Sequence, residues 1–245
     1  MNKIAVVTGA SYGLGDEISN RLITLGFKVY GLSRTEPKIK HKQFIWIQAD
    51  LLNDSQMPSV LAQIKEDKID ILVNNAGVAF FKKTLEYTDK DFDRMFGLNF
   101  KAHVKITQQL FAKLTGGLII TISSLSDRYP DPMFGLYGSS KTALNIFFET
   151  MAAENTNVKI INILPSYVDT PMQHGLHDNT NFDWSICMKP IDIANAIENV
   201  ITNVQKIESG SRIIVEKTPG ENAPYNPEKL WVYSALNKVL NKISR

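Results

Sequence analysis

Short apolar runs alternate along this chain with longer stretches in which apolar residues recur at helical spacing. The runs consist mostly of Ile, Val and Leu, as is typical of strands that are covered on both faces. Strands that alternate with helices favour a parallel sheet joined by crossover helices. We therefore predict a doubly wound α/β fold: a mostly parallel seven-stranded sheet with helices on both faces, in a three-layer sandwich. The predicted strands lie near residues 3–8, 27–32, 43–47, 70–74, 117–122, 158–163 and 211–215, and the predicted helices near 14–25, 54–66, 89–114, 137–154 and 190–204.

Helix-start signals and linker composition indicate the domain organisation. Asp54 and Asp89 are predicted N-caps, and Pro190 followed by Asp192 marks another helix start. The sequence has no low-complexity linker and no internal repeat, so residues 1–245 form one predicted domain with two appendages. The first is a polar segment, residues 170–189, that we expect to act as a substrate lid. The second is a tail, residues 219–245, which ends in a helical stripe formed by Leu236, Val239, Leu240 and Ile243.

Composition excludes several classes of protein. With 245 residues, 44% of them hydrophobic and 21% charged, the chain can bury a full core. A formal charge of +2 gives no argument for nucleic-acid binding. The single cysteine, Cys187, excludes an intrachain disulfide and is interpreted as a structural thiol in a reducing compartment. The first strand begins directly after Met1-Asn2, and no apolar run approaches the roughly 18 residues of a membrane span. We therefore expect a cytoplasmic protein.

A glycine-rich turn lies between the first strand and the first helix. Gly9, Gly13 and Gly15 have the spacing Gly-x-x-x-Gly-x-Gly. Glycine allows a tight turn and lets a pyrophosphate approach the backbone, and the N-terminus of the following helix favours an anion. Such a turn alone is weak evidence, but its place between a buried strand and a helix predicts a dinucleotide site.

The end of the second strand indicates which dinucleotide is bound. Sites that prefer NAD have an acidic residue there for the ribose 2′-hydroxyl, whereas this chain has Ser33 followed by Arg34. A guanidinium group is a good partner for phosphate oxygens. We therefore predict NADP(H), with Arg34 at the 2′-phosphate. The alternative is a surface Arg34 that makes an ion pair with Glu36.

Tyr137 and Lys141 are four residues apart on a predicted helix, so their side chains lie one turn apart on one face. A free phenol has a pKa of about 10 and is a poor base at neutral pH. A neighbouring ammonium group, helped by a positively charged nicotinamide, is expected to lower that pKa. Tyr137 is thus predicted to exchange a proton with a substrate oxygen, and Ser124 to hydrogen-bond the same oxygen. Ser123 is the rival serine, and strand alternation sends these two side chains in opposite directions.

These motifs occur in a fixed order: the glycine turn, then Asn74-Asn75-Ala76-Gly77, then Ser124, then Tyr137-Gly138-Ser139-Ser140-Lys141. The gap from Ser124 to Tyr137 is thirteen residues. In this order and with these gaps the chain resembles the classical short-chain dehydrogenase/reductase family, over the range from Asn2 to Thr170. The resemblance implies a Rossmann-type fold and hydride transfer between a nicotinamide and a carbonyl or alcohol.

The resemblance also implies roles for individual residues. Lys141 is implied to hold the nicotinamide ribose, and Asn99 to help hold a water that relays protons to it. Asn75 is implied to brace the sheet near the adenosine ribose, and Asp50 to accept from the adenine amino group. The implied catalytic residues are Ser124, Tyr137, Lys141 and Asn99. The implied cofactor-binding residues are Gly9, Ser11, Tyr12, Gly13, Leu14, Gly15, Ser33, Arg34, Asp50, Leu51, Asn75, Ala76, Gly77, Tyr137, Lys141, Pro165, Val168 and Thr170.

Several assignments have an alternative interpretation at this point. A solvent-facing Asn99 is the alternative to the relay, and a turn cap is the alternative for Asp50. The family usually has Pro-Gly where this chain has Pro165-Ser166, which bears on how closely the backbone passes the nicotinamide. His174 and His177 have a spacing that suggests a metal, but no carboxylate or Cys completes a ligand set, so we interpret them as part of the lid.

The expected partner is a small molecule with a carbonyl or alcohol group. The sequence leaves open a 3-oxoacyl thioester, a ketone or quinone, and a pteridine, because the loops that define the pocket vary freely on such a scaffold. The residues predicted to line the substrate mouth, between Ser124 and Tyr137, are Asp127, Arg128, Tyr129, Met133 and Phe134.

Two other functions stay open from the sequence. One is a cofactor-binding sensor or scaffold that has lost turnover, against which the intact Ser124, Tyr137 and Lys141 argue. The other is a peripheral membrane protein that uses the tail helix. The predicted helices 89–114 and 137–154 carry apolar residues on more than one face and must be covered, which predicts a homodimer or homotetramer.

Overall fold

The computed structural model describes residues 3–177, 181–217, 231–234 and 239–242. The seven predicted strands are present and parallel, in the order β3-β2-β1-β4-β5-β6-β7, so the chain winds outward in both directions from the β1–β4 pair. The strands are β1 (Lys3–Thr8), β2 (Phe27–Ser33), β3 (Phe44–Gln48), β4 (Ile71–Asn74), β5 (Leu118–Ile122), β6 (Lys159–Pro165) and β7 (Ser211–Val215).

Helices cover both faces of this sheet and give the predicted three layers. Alternate residues of each strand point into separate hydrophobic cores. In β1, Ala5 and Val7 pack in the core on one face of the sheet, whereas Ile4 and Val6 pack in the core on the other face. The helices are α1 (Leu14–Thr24), α2 (Met57–Leu61), α3 (Asp89–Phe96), α4 (Ala102–Leu110), α5 (Gly135–Glu154), α6 (Pro171–His177) and α7 (Pro190–Thr202).

The predicted helix over 54–66 is much shorter in the structure. It starts after Gln56, so Asp54 is not its N-cap, and the Asp54 carboxylate pairs with Lys101 at 2.6 Å. It ends early because the chain changes to the tighter 3₁₀ pattern of hydrogen bonds. The N–H of Ile64 donates to the carbonyl of Leu61, three residues earlier. The tighter turn carries Ile64 into the core, where it is buried.

The predicted helix over 89–114 is interrupted. Thr88, not Asp89, is the N-cap, and Thr88 forms a capping box with Asp91. A π-helical turn, Gly97–Lys101, separates α3 from α4, and a 3₁₀ turn follows α4. The start of α7 is as predicted, because Pro190 is its first residue and the Asp192 carboxylate accepts from the N–H of Lys189 at 2.8 Å.

The tail adds two antiparallel strands to the edge of the sheet. β8 (Trp231–Ser234) pairs with β7, and β9 (Val239–Lys242) pairs with β8. The predicted tail helix is therefore wrong at Val239 and Leu240, where the unpaired edge of the sheet offers hydrogen bonds. Leu236 and Ile243 lie outside the described residues. In the part of the chain that the structure describes, no helix is long and apolar enough to cross a membrane.

Candidate active site

The predicted site residues follow strands whose carboxyl ends meet at one edge of the sheet. A cleft opens there, at the point where the strand order reverses, as expected for a ligand site on such a sheet. The predicted cofactor residues that line it are Gly9, Ser11, Tyr12, Gly13, Leu14, Gly15, Ser33, Arg34, Asp50, Leu51, Asn75, Ala76, Gly77 and Thr170.

The glycine turn forms the floor of the cleft. Gly9 and Gly13 have positive φ angles of 69° and 65°. A Cβ on Gly15 would lie 2.1 Å from the carbonyl oxygen of Gly9, so no other residue fits. The side-chain amide of Asn75 donates to the carbonyl oxygens of Thr8 at 2.9 Å and of Gly9 at 3.3 Å. Asn75 therefore fixes the turn from the neighbouring strand β4.

Ser33 and Arg34 lie at the rim of the cleft, where β2 ends. The buried hydroxyl of Ser33 donates to the carbonyl oxygen of Thr35 at 2.8 Å, and Arg34 is exposed. Glu36 pairs with Lys40 at 2.9 Å. Among the described residues no carboxylate lies within ion-pairing distance of Arg34. The alternative ion pair of Arg34 with Glu36 is thus not the observed arrangement.

Asp50 has the geometry of a turn cap while also lining the cleft. Its carboxylate accepts from the backbone N–H of Leu52 at 3.1 Å. The residue is exposed, and a carboxylate has several acceptor positions. The cap and a contact to a ligand are therefore compatible.

Helix α5 packs directly on the segment that carries Ser124. A Cβ on Gly138 would lie 2.6 Å from the carbonyl oxygen of Ser126, so glycine at this position permits the close approach. The hydroxyl of Ser124 accepts from the N–H of Ser126 at 3.1 Å and caps a short 3₁₀ turn. This packing holds Ser124 against the residue that precedes Gly138, which is Tyr137.

The phenol of Tyr137 is partly buried beside Ser124. Burial raises the pKa of Tyr137 above its ordinary value, and a hydrogen bond with Ser124 opposes that increase. The rival serine, Ser123, is buried and donates to the backbone carbonyl of Lys141 at 3.4 Å. The structure therefore brings Ser124, rather than Ser123, to the phenol.

Lys141 lies one turn further along α5 and is buried. Its ammonium donates to the carbonyl oxygen of Ile122 at 2.8 Å and lies 5.8 Å from the centre of the Tyr137 ring. Burial lowers the pKa of Lys141 from 10.5 to about 8. The predicted lowering of the Tyr137 pKa is wrong for the chain alone, because burial of the phenol dominates and the ammonium is directed at Ile122.

Asn99 is fully buried, so the solvent-facing alternative is wrong. It lies in the π-helical turn between α3 and α4, and such turns are frequent at functional sites. Its Oδ1 accepts from the N–H of Val78 at 2.8 Å, and its Nδ2 donates to the carbonyl of Val78 at 2.9 Å and to the hydroxyl of Ser140 at 3.0 Å. Asn99 therefore connects the segment after β4 to helix α5, next to Lys141.

The segment after β6 forms the opposite wall of the cleft. Val168 is buried and forms an isolated parallel bridge with Met188. Thr170 lines the cleft, and its hydroxyl accepts from the N–H of Gln173 at 3.3 Å. Pro165 is the buried last residue of β6 and does not itself line the cleft.

Two residues predicted at the substrate mouth lie elsewhere. The carboxylate of Asp127 is buried, where it pairs with Arg212 of β7 at 2.8 Å and accepts from Asn145 at 2.9 Å. Arg128 is largely buried beside Asp127, at 3.4 Å. The prediction for these two residues used only their position in the sequence between Ser124 and Tyr137. It is wrong because, in the fold, the Asp127 carboxylate is buried and pairs with Arg212 and Arg128.

Phe134 is placed as predicted, next to the phenol. Its ring meets that of Tyr137 edge to face, with the ring centres 5.6 Å apart. Tyr129 and Met133 are exposed nearby. Met133 has a positive φ of 68°, and its carbonyl accepts from the Tyr87 hydroxyl at 2.9 Å. Such backbone strain persists only where neighbouring contacts hold it.

Comparison with known proteins identifies the family. The profile described as short chain dehydrogenase matches residues 3–181. This chain belongs to the short-chain dehydrogenase family. A benzil reductase ((S)-benzoin forming) of Bacillus subtilis is 30% identical over 197 residues, which are 74% of this chain and 81% of that protein.

Two solved structures show the same fold as this short-chain dehydrogenase. One is a 3-ketoacyl-(acyl-carrier-protein) reductase from Brucella melitensis complexed with NADH, with a TM-score of 0.78 and 22% identity over 86% of this chain and 96% of that one. The other is an alcohol dehydrogenase from Thermococcus sibiricus complexed with 5-hydroxy-NADP, with a TM-score of 0.79 and 22% identity over 90% of this chain and 99% of that one. The two differ in coenzyme, so the fold does not distinguish NAD from NADP.

The cleft of this short-chain dehydrogenase fits a dinucleotide. The missing Cβ atoms of Gly9 and Gly15 leave a backbone cradle at the N-terminus of α1, where a pyrophosphate is favoured. Arg34 offers a guanidinium at one end. Lys141 is buried outside the lining, but its Nζ would lie 3.7 Å from a Cβ on Gly77, which lines the cleft. Ile122 accepts one of the three hydrogens of its ammonium group. These residues would hold the phosphates and ribose hydroxyls of a bound cofactor.

His103 is a site residue that the sequence analysis missed. It is fully buried in α4, its Nε2 donates to the carbonyl of Ala76 at 2.7 Å, and Nδ1 has no hydrogen-bond partner among the described residues. Burial and the nearby charge of Lys141 lower its pKa to about 3, so the ring is neutral. Its i, i+4 spacing from Asn99 was a usable signal, because residues four apart share a helix face.

The two histidines of the predicted lid have aromatic and acidic neighbours. His174 pairs with Asp169 at 2.7 Å and stacks on Trp184, and His177 stacks on Phe182. Over the described ranges, no three His, Cys, Asp or Glu side chains form a group that could hold a metal ion.

Proposed function

We propose that the protein is an NADP(H)-dependent oxidoreductase that interconverts a carbonyl compound and its alcohol, with Tyr137 as general acid and base. The observation that carries the proposal is the placement of the Ser124 hydroxyl beside the phenol of Tyr137, with the ammonium of the buried Lys141 5.8 Å from the centre of the Tyr137 ring. A hydroxyl pair of this kind, next to a cleft that fits a dinucleotide, is suited to polarise a carbonyl and give it a proton.

In the proposed reduction, the cofactor would supply the hydride and the protein would supply the proton. The hydride that reaches the carbonyl carbon would come from bound NADPH, which would be oxidised to NADP⁺. The Tyr137 hydroxyl donates its proton to the carbonyl oxygen as the π bond opens, so that the alcohol forms. Ser124 stabilises the charge on that oxygen by a hydrogen bond, and the Lys141 ammonium stabilises the phenolate until a proton returns from solvent. Oxidation of the alcohol runs through the same steps in reverse.

The preference for NADP(H) rests on the rim of the cleft. In the part of the chain that the structure describes, no carboxylate pairs with Arg34 at the end of β2, and the hydroxyl of Ser33 already has a partner. An acidic residue, which would bind a 2′-hydroxyl and repel a 2′-phosphate, is absent from this position.

A panel of ketones and aldehydes, followed by the loss of NADPH absorbance, tests this function. Tyr137→Phe keeps the ring and removes the hydroxyl, so turnover should fall by about 10²–10⁴. NADPH affinity should be largely retained, because the cofactor would be held mainly by the glycine turn, Arg34 and Lys141. Ser124→Ala should lower turnover with a similarly unchanged affinity. A Tyr137→Phe protein that keeps more than about a tenth of native turnover would contradict the mechanism.

A further inference from the structure

A continuous row of aromatic rings leads from Tyr137 to the lid. Phe134 meets Tyr137 at 5.6 Å between ring centres and meets Phe81 at 4.7 Å, both edge to face. Phe81 meets His177 at 5.0 Å, and His177 stacks on Phe182 at 3.9 Å and 20°. We refer to Phe134, Phe81, His177 and Phe182 as the aromatic row. Its three edge-to-face pairs have the distances of attractive ring pairs, and His177 and Phe182 form a closer stack.

Two of the four rings in the aromatic row belong to the scaffold, and the other two belong to the predicted lid. Phe81 and Phe134 flank β4 and α5 of the scaffold, whereas His177 ends α6 and Phe182 follows it. The contact between Phe81 and His177 is the one that joins the two halves within the row. A substrate that reaches Tyr137 between scaffold and lid therefore separates Phe81 from His177.

The lid also connects the row to the cofactor cleft. Thr170, Pro171 and Met172, at the start of α6, line the cleft, and His177 ends the same helix. A helix of this length spans about 10 Å at 1.5 Å per residue. One short helix therefore borders the cofactor cleft at its start and the aromatic row at its end.

The chemistry of the row is apolar and aromatic. Burial lowers the pKa of His177, so its ring is uncharged at neutral pH. Two charged groups nearby are paired, Asp169 with His174 and Lys82 with Asp91 at 2.5 Å, and the carboxylate of Asp183 accepts from the backbone N–H of Ser185 at 2.9 Å. A charged substituent in the row would lose its hydration and gain few polar contacts that compensate for the loss. An aromatic ring would replace the ring contact that it breaks.

We propose that the substrate is a ketone, or the corresponding alcohol, that carries an uncharged aromatic ring, and that this ring lies between Phe81 and His177. The inference rests on the proposed function, because it needs a carbonyl at Tyr137. A saturated substituent of equal size breaks the same contact and restores no ring pair.

The test compares benzylacetone with its ring-saturated counterpart. The carbonyl of both is separated from the ring by two methylene groups, so its intrinsic reactivity is the same. Two edge-to-face contacts should favour the aromatic ketone in kcat/KM by about five- to a hundredfold. Phe81→Leu removes one contact and should reduce this preference by about two- to tenfold, with little change for the saturated ketone.

Two further variants complete the test. Phe182→Leu removes the ring that stacks on His177, so the lid-side partner of the substrate ring loses its support and the preference should also fall. This variant covers the case of a misfolded Phe81→Leu protein. Phe92→Leu is the matched control, because Phe92 is an exposed ring of α3 outside the row, and it should leave the preference unchanged.

The outcomes separate this inference from the function on which it rests. Equal kcat/KM for the two ketones in the native enzyme would overturn the aromatic substrate and leave the oxidoreductase standing. A native preference that survives both Phe81→Leu and Phe182→Leu would overturn the role of the row. Failure to reduce either ketone or any carbonyl in the panel would instead overturn the proposed function.

Discussion

The ammonium group of Lys141 is buried against the carbonyl of Ile122, and burial lowers its pKa from 10.5 to about 8. One pKa unit corresponds to about 1.4 kcal/mol, so the charge on Lys141 costs the folded chain about 3 kcal/mol at neutral pH. Lys141→Met removes the charge and also a hydrogen bond of about 1 kcal/mol. We expect its free energy of unfolding in urea at about pH 7 to rise by about 2 kcal/mol, while NADPH binding and turnover both fall.

The pH dependence of this gain identifies its cause. Between about pH 8 and pH 10.5 the unfolded chain keeps the Lys141 proton that the folded chain releases, so native stability rises with pH in this window. Lys141→Met lacks that rise. Its advantage over the native protein should therefore be nearly gone at about pH 10. An equal advantage at both pH values would mean that packing, not charge, is responsible.

Arg34 is the residue on which coenzyme preference depends in our proposal. A charge-assisted hydrogen bond contributes about 1.5–3 kcal/mol, so Arg34→Ala should raise the Kd for NADPH by about ten- to a hundredfold. The Kd for NADH should barely change. Lys40→Ala is the control, because Lys40 is a nearby exposed cation that pairs with Glu36. Native protein that binds NADH as tightly as NADPH in a titration would contradict the preference.

At the scale of elements, the sequence was informative wherever local geometry decides the structure. The strand boundaries, the glycine turn and the Tyr137–Lys141 pair depend on φ angles and on side-chain periodicity, both of which can be read from neighbouring residues. The π-helical turn depends instead on Asn99 reaching Val78, 21 residues earlier. The burial of Asp127 depends on Arg212, 85 residues later. Such distant partners leave no local signal.

A buried charge cluster joins three elements behind the site. The guanidinium of Arg212 on β7 bonds to Asp127, three residues after Ser124, and to Glu149 on α5. Arg212→Met would leave both carboxylates buried without this cation. Breaking a buried pair on one side typically costs about 3–5 kcal/mol, and we expect that loss in urea unfolding at about pH 8.

Acid should relieve part of this loss. Burial already raises the pKa of the Asp127 carboxyl group, and the charge of Arg212 opposes that increase. Removing the guanidinium should raise this pKa further, so stability is lost as pH rises through it. The Arg212→Met protein should therefore be closer to the native protein at about pH 5 than at about pH 8. Arg21→Met is the control: its pair with Glu198 at 2.6 Å is partly exposed, and its loss should cost at most about 1 kcal/mol at either pH.

For the whole molecule, the surface between α4 and α5 requires an explanation because it is apolar. Phe100, Val104, Phe111 and Phe147 line an open groove there, and the neighbouring Ile146 is 53% exposed. Aligned apolar residues of this kind on a surface commonly mark an interface. The groove combines the two helices whose composition predicted a homo-oligomer, so we propose that a second copy of the chain covers it.

Light scattering at micromolar concentration should therefore give at least a dimer mass for the native protein. Ile146→Asp places a charge in the centre of the face, where it would be desolvated in the assembly, and should shift the mass to that of a monomer. Leu85→Asp is the matched control, since Leu85 is 98% exposed on a separate 3₁₀ turn and the same change there should leave the mass unaltered. Because the groove borders α5, which carries Tyr137 and Lys141, a monomeric Ile146→Asp protein would also show whether turnover depends on the assembly. A monomer mass for the native protein would contradict the proposed interface, whatever the variants do.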